Sequence, residues 1–231
     1  MAAGRGTRIG GVTPKAFLSL AGTPMVVYPL RTLGQLRNLT SIVLVVDAAE
    51  EGRAADIVSQ YGPWPSSVRL AHGGAERQDS VAAGLQVVDT AADLVLIHDA
   101  ARPFVSLGCV HTCVDTAASH GAAIAAVAAH DTVKLVDSAS VIIETLDRRR
   151  VWLAQTPQVF RAGLLREAYQ QARRDGYMGT DDAALVERLG HPVRVVPGEA
   201  TNRKITTPDD LRWAESYLQA HGGPVAALHG L

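Results

Sequence analysis

The sequence lacks a charge excess, a cysteine framework and long apolar runs, and each absence excludes a class of protein. Its 22 lysine and arginine residues nearly balance 23 aspartate and glutamate residues, giving a net charge of −1, which argues against sequence-independent binding of nucleic acid. No apolar run approaches the roughly 18 residues that a membrane span requires, and the first residues do not form a signal peptide. We therefore expect a cytoplasmic protein that binds neither nucleic acid nor a membrane.

Only two cysteines are present, Cys109 and Cys113. They stand four residues apart in a segment with helical periodicity, so they fit neither a disulfide framework nor a Cys-x-x-Cys redox pair. His111 between them is compatible with zinc, but no second ligand pair occurs elsewhere in the sequence. We interpret both as cysteines of a helix that holds no metal.

What the sequence does contain is a regular alternation of apolar strands and amphipathic helices. The predicted strands are Ser41 to Val46, Val68 to Ala71, Leu94 to His98 and Ala122 to Ala128, and the predicted helices are Met25 to Arg37, Ala48 to Gln60, Gln78 to Val88 and Gly108 to His120. Strands that are apolar on both faces and alternate with helices indicate a parallel sheet covered on both sides. We predict an α/β protein of Rossmann-like, doubly wound architecture in one domain, residues 1–231, with its ligand crevice at the carboxyl ends of the strands.

The alternation stops after Ala129, where two short β-prone runs surround a turn. Asp131 to Val136 and Ser140 to Leu146 predict a protruding hairpin arm at about residues 130–150,. Such an arm has to bury its apolar side, either against a second subunit or against its own domain, and we favour a homodimer. The elements predicted after the arm are a strand at Gln158 to Phe160, helices at Ala162 to Arg174 and Thr180 to Leu189, a strand at Val193 to Val196, and a helix from Pro208 that Thr207 caps,.

The first eleven residues are rich in glycine and alanine and contain Arg5 and Arg8, with Lys15 shortly after them. A backbone that can approach closely, combined with cations, suits a polyphosphate. The segment lacks the Gly-Lys-Ser/Thr end of a P-loop and the acidic residue of a dinucleotide-binding fingerprint, which excludes the usual NTPase and dehydrogenase patterns. From this segment alone a flexible terminus is an equal alternative.

Six segments together resemble the sugar-phosphate nucleotidyltransferase family, and within it the cytidylyltransferase branch. They are Ala2-Ala3-Gly4-x-Gly6-x-Arg8 with Pro14-Lys15, Gly73 to Val81, His98 to Pro103, Asp131-Thr132-x-Lys134, Gln155 to Gln158, and Asn202-x-Lys204-x-Thr206. The resemblance implies attack of an acceptor phosphate on CTP with release of pyrophosphate. The acceptor implied is methylerythritol phosphate of the non-mevalonate isoprenoid pathway. Ribitol 5-phosphate as the acceptor and a catalytically inactive nucleotide-binding module remain open as alternatives.

The resemblance also assigns roles to residues of this sequence. The implied catalytic cations are Arg8 and Lys15; the implied nucleotide contacts are Ala2, Ala3, Gly4, Gly6, Gly74, Arg77, Ser80, Asp99 and Lys204; and the implied acceptor contacts are Thr132, Arg148, Thr156 and Lys204. Thr132 and Arg148 would reach the acceptor across a dimer interface. The run from Arg148 to Arg150 leaves the register uncertain by one residue, and Ala75 stands where the family commonly has aspartate.

Asp99 follows an apolar strand, where a doubly wound fold presents a carboxylate to its ligand crevice. Mg²⁺ usually takes one or two protein carboxylates and completes its shell with phosphates and water. We therefore predict Asp99 as a ligand of Mg²⁺, the expected cofactor. The alternative is an N-cap for the segment after Pro103.

In this architecture the phosphate loop follows the first, central strand, yet here it begins at Met1,. We expect the native chain to start upstream and to supply that strand; the alternative is a genuinely shortened chain.

Overall fold

The computed structural model describes residues 1–4 and 13–221 of the chain. The strands in these ranges are β1 (Ser19–Leu20), β2 (Thr23–Pro24), β3 (Ser41–Val46), β4 (Ser67–His72), β5 (Leu94–Ile97), β6 (Ala122–Ala128), β7 (Lys134–Val136), β8 (Ile142–Thr145), β9 (Trp152–Arg161) and β10 (Arg194–Pro197). The helices are α1 (Val27–Gly34), α2 (Glu51–Gln60), α3 (Arg77–Val87), α4 (Leu107–His120), α5 (Ala162–Arg174), α6 (Asp182–Arg188) and α7 (Pro208–Ala220). Short 3₁₀ helices lie at Lys15–Phe17, Ala48–Glu50 and Arg148–Arg150.

The main sheet has the order β10-β6-β9-β5, and β3 pairs in parallel with β4 beside it. Strands β10 and β6 are parallel, and β9 runs antiparallel to both β6 and β5. Strands β5, β6 and β10 therefore share one direction. The predicted α/β class with mostly parallel strands is confirmed, with β9 as the exception.

Strand β9 is the main correction to the sequence-based prediction. The predicted strand covered only Gln158 to Phe160, where the side chains are buried, whereas β9 begins six residues earlier at Trp152. Its first three residues, Trp152, Leu153 and Ala154, are all apolar although they are exposed, so the sequence lacks the alternation of apolar and polar residues that marks a half-buried strand. They pair with the end of β6 past a bulge between Ile124 and Ala126. A chain that leaves β6 and returns directly through a hairpin arm must run antiparallel, which the helix-crossover pattern of the earlier strands does not predict.

Other boundaries differ by one to three residues. Helix α1 spans Val27–Gly34 rather than the predicted Met25 to Arg37, and α6 begins at Asp182 because the Asp181 carboxylate caps it, accepting a hydrogen bond from Ala184 N at 3.0 Å,. The predicted start of α7 is confirmed. Thr207 Oγ1 accepts from Asp210 N at 3.2 Å, and an Asp210 carboxylate oxygen accepts from Thr207 N at 3.0 Å,.

Alanine-rich β6 lies at the centre of the buried layers. Ala122, Ala123 and Ala125 are fully buried, and Val159 of the neighbouring β9 is fully buried with them. Small side chains let α4 pack closely on this strand, together with Cys109 and Cys113. The two cysteines are buried, unoxidised residues of α4. Burial of such apolar surface is the main stabilising contribution to a core of this kind.

The first residues of the chain lie between β3 and β5. Ala2 N donates to Val45 O at 2.8 Å, and Ala100 N donates to Met1 O at 3.0 Å. The Met1 ammonium also donates to His98 O at 2.6 Å. Met1 and Ala2 thus join the β3-β4 pair to the main sheet, at the edge where β3 and β5 end. The existence of a strand upstream of Met1 stays a prediction.

The hairpin arm, defined as residues 130–150, extends away from the sheets. Strands β7 and β8 pair with each other in antiparallel fashion, and every residue in both is exposed. The predicted arm is confirmed. None of the helices in the described ranges is long and apolar enough to cross a membrane.

Candidate active site

The loop after β4 requires glycine at two positions. Gly73 N donates to Val46 O at 2.7 Å, which continues the pairing with β3. A Cβ atom added at Gly73 would lie 2.4 Å from Ala3 Cβ, and one added at Gly74 would lie 2.4 Å from Asp79 Cβ. Both contacts are too short for real atoms, so Gly73 lets the loop approach the start of the chain and Gly74 lets it pack on the first turn of α3.

Ser80 closes this loop from inside. Its Oγ accepts a hydrogen bond from Gly74 N at 3.1 Å and donates to Glu76 O at 3.0 Å, and the side chain is buried. Asp79 Oδ2 accepts from Glu76 N at 3.2 Å. These bonds fix the loop before any ligand arrives. A contact of Ser80 with a nucleotide base stays a prediction, because its hydroxyl bonds here only to the loop.

A cavity of about 330 Å³ opens beside this loop, at the carboxyl end of β3. Three of the predicted nucleotide residues, Ala2, Ala3 and Gly4, line it, and Pro14 and Asp47 lie on its other sides. The structure thus brings the start of the glycine-rich segment to the edge where ligands bind in sheets of this class. Gly6 and Arg8 lie outside the described residues, and Lys15 opens the 3₁₀ helix directly after Pro14.

Three cations surround the carboxylate of Asp99, two residues beyond the end of β5. Lys204 Nζ lies 2.8 Å from Asp99 Oδ2, Arg77 Nε lies 3.6 Å from Oδ1, and Arg102 Nε lies 3.9 Å from Oδ2. The Asp99 side chain is only 10% exposed. The predicted nucleotide residues Arg77, Asp99 and Lys204 therefore meet at one point, and Arg102 joins them.

This arrangement keeps Asp99 ionised. Burial alone raises the pKa of a carboxyl group, but the nearby Lys204 ammonium and Arg77 guanidinium outweigh burial and hold the pKa of Asp99 below its usual range,. With the Asp182 carboxylate that also pairs with Arg77, three cations face two carboxylates, which leaves local positive charge at the strand end. Such a site attracts an anionic ligand.

Arg77 has a second, closer carboxylate partner. Its Nη2 donates to Asp182 Oδ2 at 2.7 Å, and the other carboxylate oxygen, Oδ1, accepts from the Tyr169 hydroxyl at 2.5 Å. Asp182 is fully buried at the start of α6. Burial lowers the pKa of Arg77, but the Asp182 carboxylate raises it by a larger amount. The net shift is upward, so the guanidinium stays charged,.

A chain of hydrogen bonds holds the backbone of Asp99. Asp99 N donates to Thr156 Oγ1 at 3.0 Å, and Thr156 Oγ1 lies 3.1 Å from His98 Nδ1. His98 Nε2 lies 3.0 Å from Arg102 O. A carbonyl oxygen only accepts, so Nε2 carries the imidazole proton and the Thr156 hydroxyl donates to Nδ1. Burial lowers the pKa of His98 to about 4, which agrees with a neutral ring.

Asn202 ties the Lys204 segment to β9. Its Nδ2 donates to Thr156 O at 2.8 Å and to Gln155 Oε1 at 3.2 Å, and the residue is fully buried. Arg102 Nη1 donates to Asn202 O at 2.8 Å. A rigid support two residues from Lys204 explains how a flexible lysine side chain is aimed at Asp99.

The predicted magnesium ligand fits the preferences of that ion only if a substrate contributes. In the described ranges no three histidine, cysteine, aspartate or glutamate side chains are grouped as a metal site. Asp99 is ionised and lies at the crevice edge, and Mg²⁺ commonly binds one carboxylate together with substrate phosphates. One carboxylate is therefore compatible with Mg²⁺ when a phosphate ligand completes the shell, and the metal role of Asp99 stays a prediction.

The predicted acceptor residues of the arm are exposed. Arg148 Nη1 donates to His130 O at 2.7 Å across the base of the arm, and Thr132 lies exposed two residues beyond His130. Within the described part of the chain, no hydrogen bond or ion pair joins either residue to the Asp99 cluster. The roles of Thr132 and Arg148 at an acceptor site stay predictions.

Sequence reasoning did not assign Arg102, His98, Tyr169 or Asp182 to the site. Arg102 and His98 belong to the motif His98 to Pro103. Their positions three residues after and one residue before Asp99 could have indicated that they lie near the site. Asp182 directly follows the helix cap Asp181, and an acidic residue in a first helical turn gives no separate signal of a site. Nothing in the sequence marks Tyr169, since its contact depends on the packing of α5 against α6.

Comparison with known proteins identifies relatives that cover nearly the whole chain. The sequence profile of the family described as IspD, 2-C-methyl-D-erythritol 4-phosphate cytidylyltransferase, matches residues 1–220. The enzyme of that name from Syntrophus aciditrophicus is 46% identical over 224 residues, which is 97% of this chain and 96% of the relative. The chloroplastic enzyme of rice is 40% identical over 94% of this chain and 72% of the relative.

Solved structures agree with the sequence comparison. The chain is similar to 4-diphosphocytidyl-2C-methyl-D-erythritol synthase from Anaerococcus prevotii, with a TM-score of 0.83, 32% identity and coverage of 94% of this chain and 95% of that one. It is also similar to 2-C-methyl-D-erythritol 4-phosphate cytidylyltransferase from Thermus thermophilus, with a TM-score of 0.76, 36% identity and the same coverage. The predicted Rossmann-like architecture is confirmed.

Proposed function

Because this chain belongs to the 2-C-methyl-D-erythritol 4-phosphate cytidylyltransferase family, we propose that it joins CTP to 2-C-methyl-D-erythritol 4-phosphate and releases pyrophosphate. This reaction belongs to the non-mevalonate isoprenoid pathway. The observation that carries the proposal is the buried, ionised Asp99 with Lys204, Arg77 and Arg102 around it at the end of β5. A cytoplasmic location suits an enzyme that consumes CTP.

The chemistry is a substitution at the α-phosphorus of CTP. A phosphate oxygen of the acceptor forms a new bond to that phosphorus, and the bond to the bridging oxygen breaks as pyrophosphate leaves. Both reactants are anions, so the protein has to align them and neutralise charge rather than supply a nucleophile. Lys204, Arg77 and Arg102 provide cations at the Asp99 end, and Arg8 and Lys15 provide them along the triphosphate.

The nucleotide binds beside the loop after β4. The cavity is lined by Ala2, Ala3 and Gly4, and Gly73 of the loop packs against Ala3, so backbone groups of the loop can recognise a cytosine ring. Gly6 continues the same glycine-rich segment. Ser80 holds the loop in the shape that this recognition needs, and Ala75 leaves the recognition to backbone groups at its position.

We assign Asp99 as the protein ligand of Mg²⁺, with CTP phosphates completing the coordination. The ion, when bound, neutralises triphosphate charge and orients the α-phosphorus. Lys204 and Arg77 keep Asp99 ionised for this role. The Thr156 hydroxyl holds the Asp99 backbone in place.

The acceptor binds between two subunits. Arg148 and Thr132 of one arm reach the acceptor phosphate in the partner's site, where Lys204 and Thr156 form the opposite wall. A planar guanidinium binds a phosphate monoester through paired hydrogen bonds. The exposed positions of Arg148 and Thr132 support this arrangement, since both lie on an arm that extends from its own sheets.

The arm also supplies the apolar surface for a homodimer. Leu135, Val141, Ile142 and Ile143 are between 47% and 62% exposed. Side chains of this size are rarely left in water as a contiguous group, and a second copy of the arm is a self-complementary partner.

Acceptor selectivity tests the proposed activity. Pyrophosphate release from CTP and Mg²⁺ is measured with methylerythritol 4-phosphate, with ribitol 5-phosphate and without acceptor. We expect release only with the erythritol phosphate. Release with ribitol 5-phosphate alone would assign a different acceptor, and no release with any acceptor would indicate a nucleotide-binding module without activity.

A further inference from the structure

Asp99 offers its two carboxylate oxygens to different partners. Oδ2 is taken by Lys204 Nζ at 2.8 Å, whereas Oδ1 faces Arg77 Nε at 3.6 Å, which is beyond hydrogen-bonding distance,. An arginine and a carboxylate this close normally form a paired, bidentate contact with distances near 2.8 Å. A second partner therefore holds Arg77 back from Oδ1.

That second partner is Asp182. Its Oδ2 accepts from Arg77 Nη2 at 2.7 Å, and its Oδ1 accepts from the Tyr169 hydroxyl at 2.5 Å, so both oxygens are used and the carboxylate has a fixed orientation. Asp182 is fully buried and cannot follow Arg77 outward. Tyr169 is anchored in turn in the core between α5 and α6.

We propose that Asp182, oriented by Tyr169, withholds Arg77 from Asp99 and so leaves Asp99 Oδ1 open to a divalent cation. Asp182 is a positioning residue that acts through Arg77. Without its charge, Arg77 closes on Oδ1 and competes with the cation. This inference rests on the proposed function, because it takes Asp99 as the ligand of the metal.

The test measures metal binding without turnover. Mn²⁺ is titrated into the wild-type protein in the presence of a non-hydrolysable CTP analogue, α,β-methylene-CTP, and its dissociation constant is determined by electron paramagnetic resonance. Asp182→Asn is expected to raise this constant by about 10- to 100-fold, as is typical for groups that orient a metal ligand. Asp175→Asn is the matched control, because it also removes a carboxylate charge paired with an arginine, Arg188, between α5 and α6.

A second pair of variants separates positioning from a simple loss of negative charge. In an Arg77→Gln background, Asp182→Asn should no longer change Mn²⁺ affinity, since the competing guanidinium is gone. An equal loss in both backgrounds would overturn the proposal, because it would assign the effect to long-range charge alone. An unchanged affinity in Asp182→Asn would overturn it as well.

Tyr169→Phe tests the same proposal if the Asp182→Asn variant does not fold. It keeps all charges and removes only the hydroxyl that orients Asp182, and it should weaken Mn²⁺ binding in the same direction by a smaller factor. Unchanged binding in this variant would then contradict the proposal. If the wild-type protein bound no Mn²⁺ with the CTP analogue, both the metal role of Asp99 and this inference would be wrong. If the wild type bound Mn²⁺ and the variants bound it equally well, only this inference would be wrong.

Discussion

Lys204 is the cation closest to Asp99, and its removal tests the charge cluster at the scale of one residue. We predict that Lys204→Ala lowers kcat/KM by about 10²-fold, the usual cost of removing one group that stabilises developing charge. Steady-state kinetics with both substrates measures the change. Arg174→Ala, at an exposed position in the last turn of α5, is the control and should keep wild-type activity. A Lys204 variant within twofold of the wild type would contradict the assignment.

His98 predicts how acid affects stability. Its pKa is about 4 in the folded chain because of burial, against 6.5 for an unperturbed histidine. Between these values the unfolded chain binds the proton and the folded chain does not, so stability falls as the pH drops from about 6.5 towards 4. Above pH 6.5 both states are neutral and His98 contributes no pH dependence. The full loss is roughly 3 kcal/mol on the scale of 1.4 kcal/mol per pKa unit.

Urea unfolding at pH 7 and pH 5 checks this prediction. His98→Gln should flatten the loss of unfolding free energy between the two pH values, since glutamine does not titrate. His120→Gln, at an exposed position, should leave the loss nearly as in the wild type. Equal pH dependence in all three proteins would show that His98 does not cause it.

At this scale the sequence was informative where a motif carries the chemistry. The motifs named Asp99, Arg77 and Lys204, and Arg77 Nε and Lys204 Nζ lie 3.6 Å and 2.8 Å from the Asp99 carboxylate oxygens. Asp182 and Tyr169 could not be named, because their function depends on side-chain contacts between α3, α5 and α6. A motif identifies a residue in the sequence but does not show which neighbouring side chains fix its position.

Among the elements, the arm carries the clearest prediction. Arg148→Ala should raise KM for the acceptor about tenfold or more and change KM for CTP little, because a charge-assisted hydrogen bond to phosphate contributes about 1.5 to 3 kcal/mol. Initial rates measured against each substrate in turn give both constants. Arg149→Ala is the matched control, since the Arg149 side chain is 86% exposed and already pairs with Asp147.

A larger effect of Arg149→Ala on the acceptor KM would move the assignment by one residue along the arginine run. A rise in KM for CTP after Arg148→Ala would remove Arg148 from the acceptor site.

Most element boundaries were predictable, and the exceptions have physical reasons. Strands β3, β5 and β6 show as apolar runs, and Thr207 marks the start of α7. The small β1-β2 hairpin was missed because strands of two residues show no periodicity. The exposed start of β9 was missed because its three apolar residues show no alternation with polar ones, and their pairing with β6 is a long-range backbone contact.

For the whole molecule, the exposed arm predicts a dimer that shares its active sites. Ile143 is 62% exposed at the tip region of the arm. Ile143→Asp should shift the molar mass in light scattering from two chains to one, because a buried carboxylate at an apolar interface is costly. Turnover should fall with it, since Arg148 and Thr132 would no longer reach a partner's site.

Met178→Asp is the control, an exposed apolar residue at 54% exposure outside the arm, and it should keep both mass and activity. A fully active single chain would contradict the shared site.

The class of the molecule could be predicted from the alternation of strands and helices, and the reaction from six spaced motifs. The direction of β9 and the pairing of Met1 and Ala2 with Val45 and Ala100 depend on long-range contacts, which a pattern within the sequence does not contain.

Label transfer from CTP tests the central claim most directly. The protein is incubated with methylerythritol 4-phosphate, Mg²⁺ and CTP labelled with ³²P at either the α or the γ position, and the products are separated. Attack at the α-phosphorus predicts that the α label enters the sugar-alcohol product and the γ label appears only in pyrophosphate. Transfer of the γ label to the acceptor would identify a kinase and contradict the account.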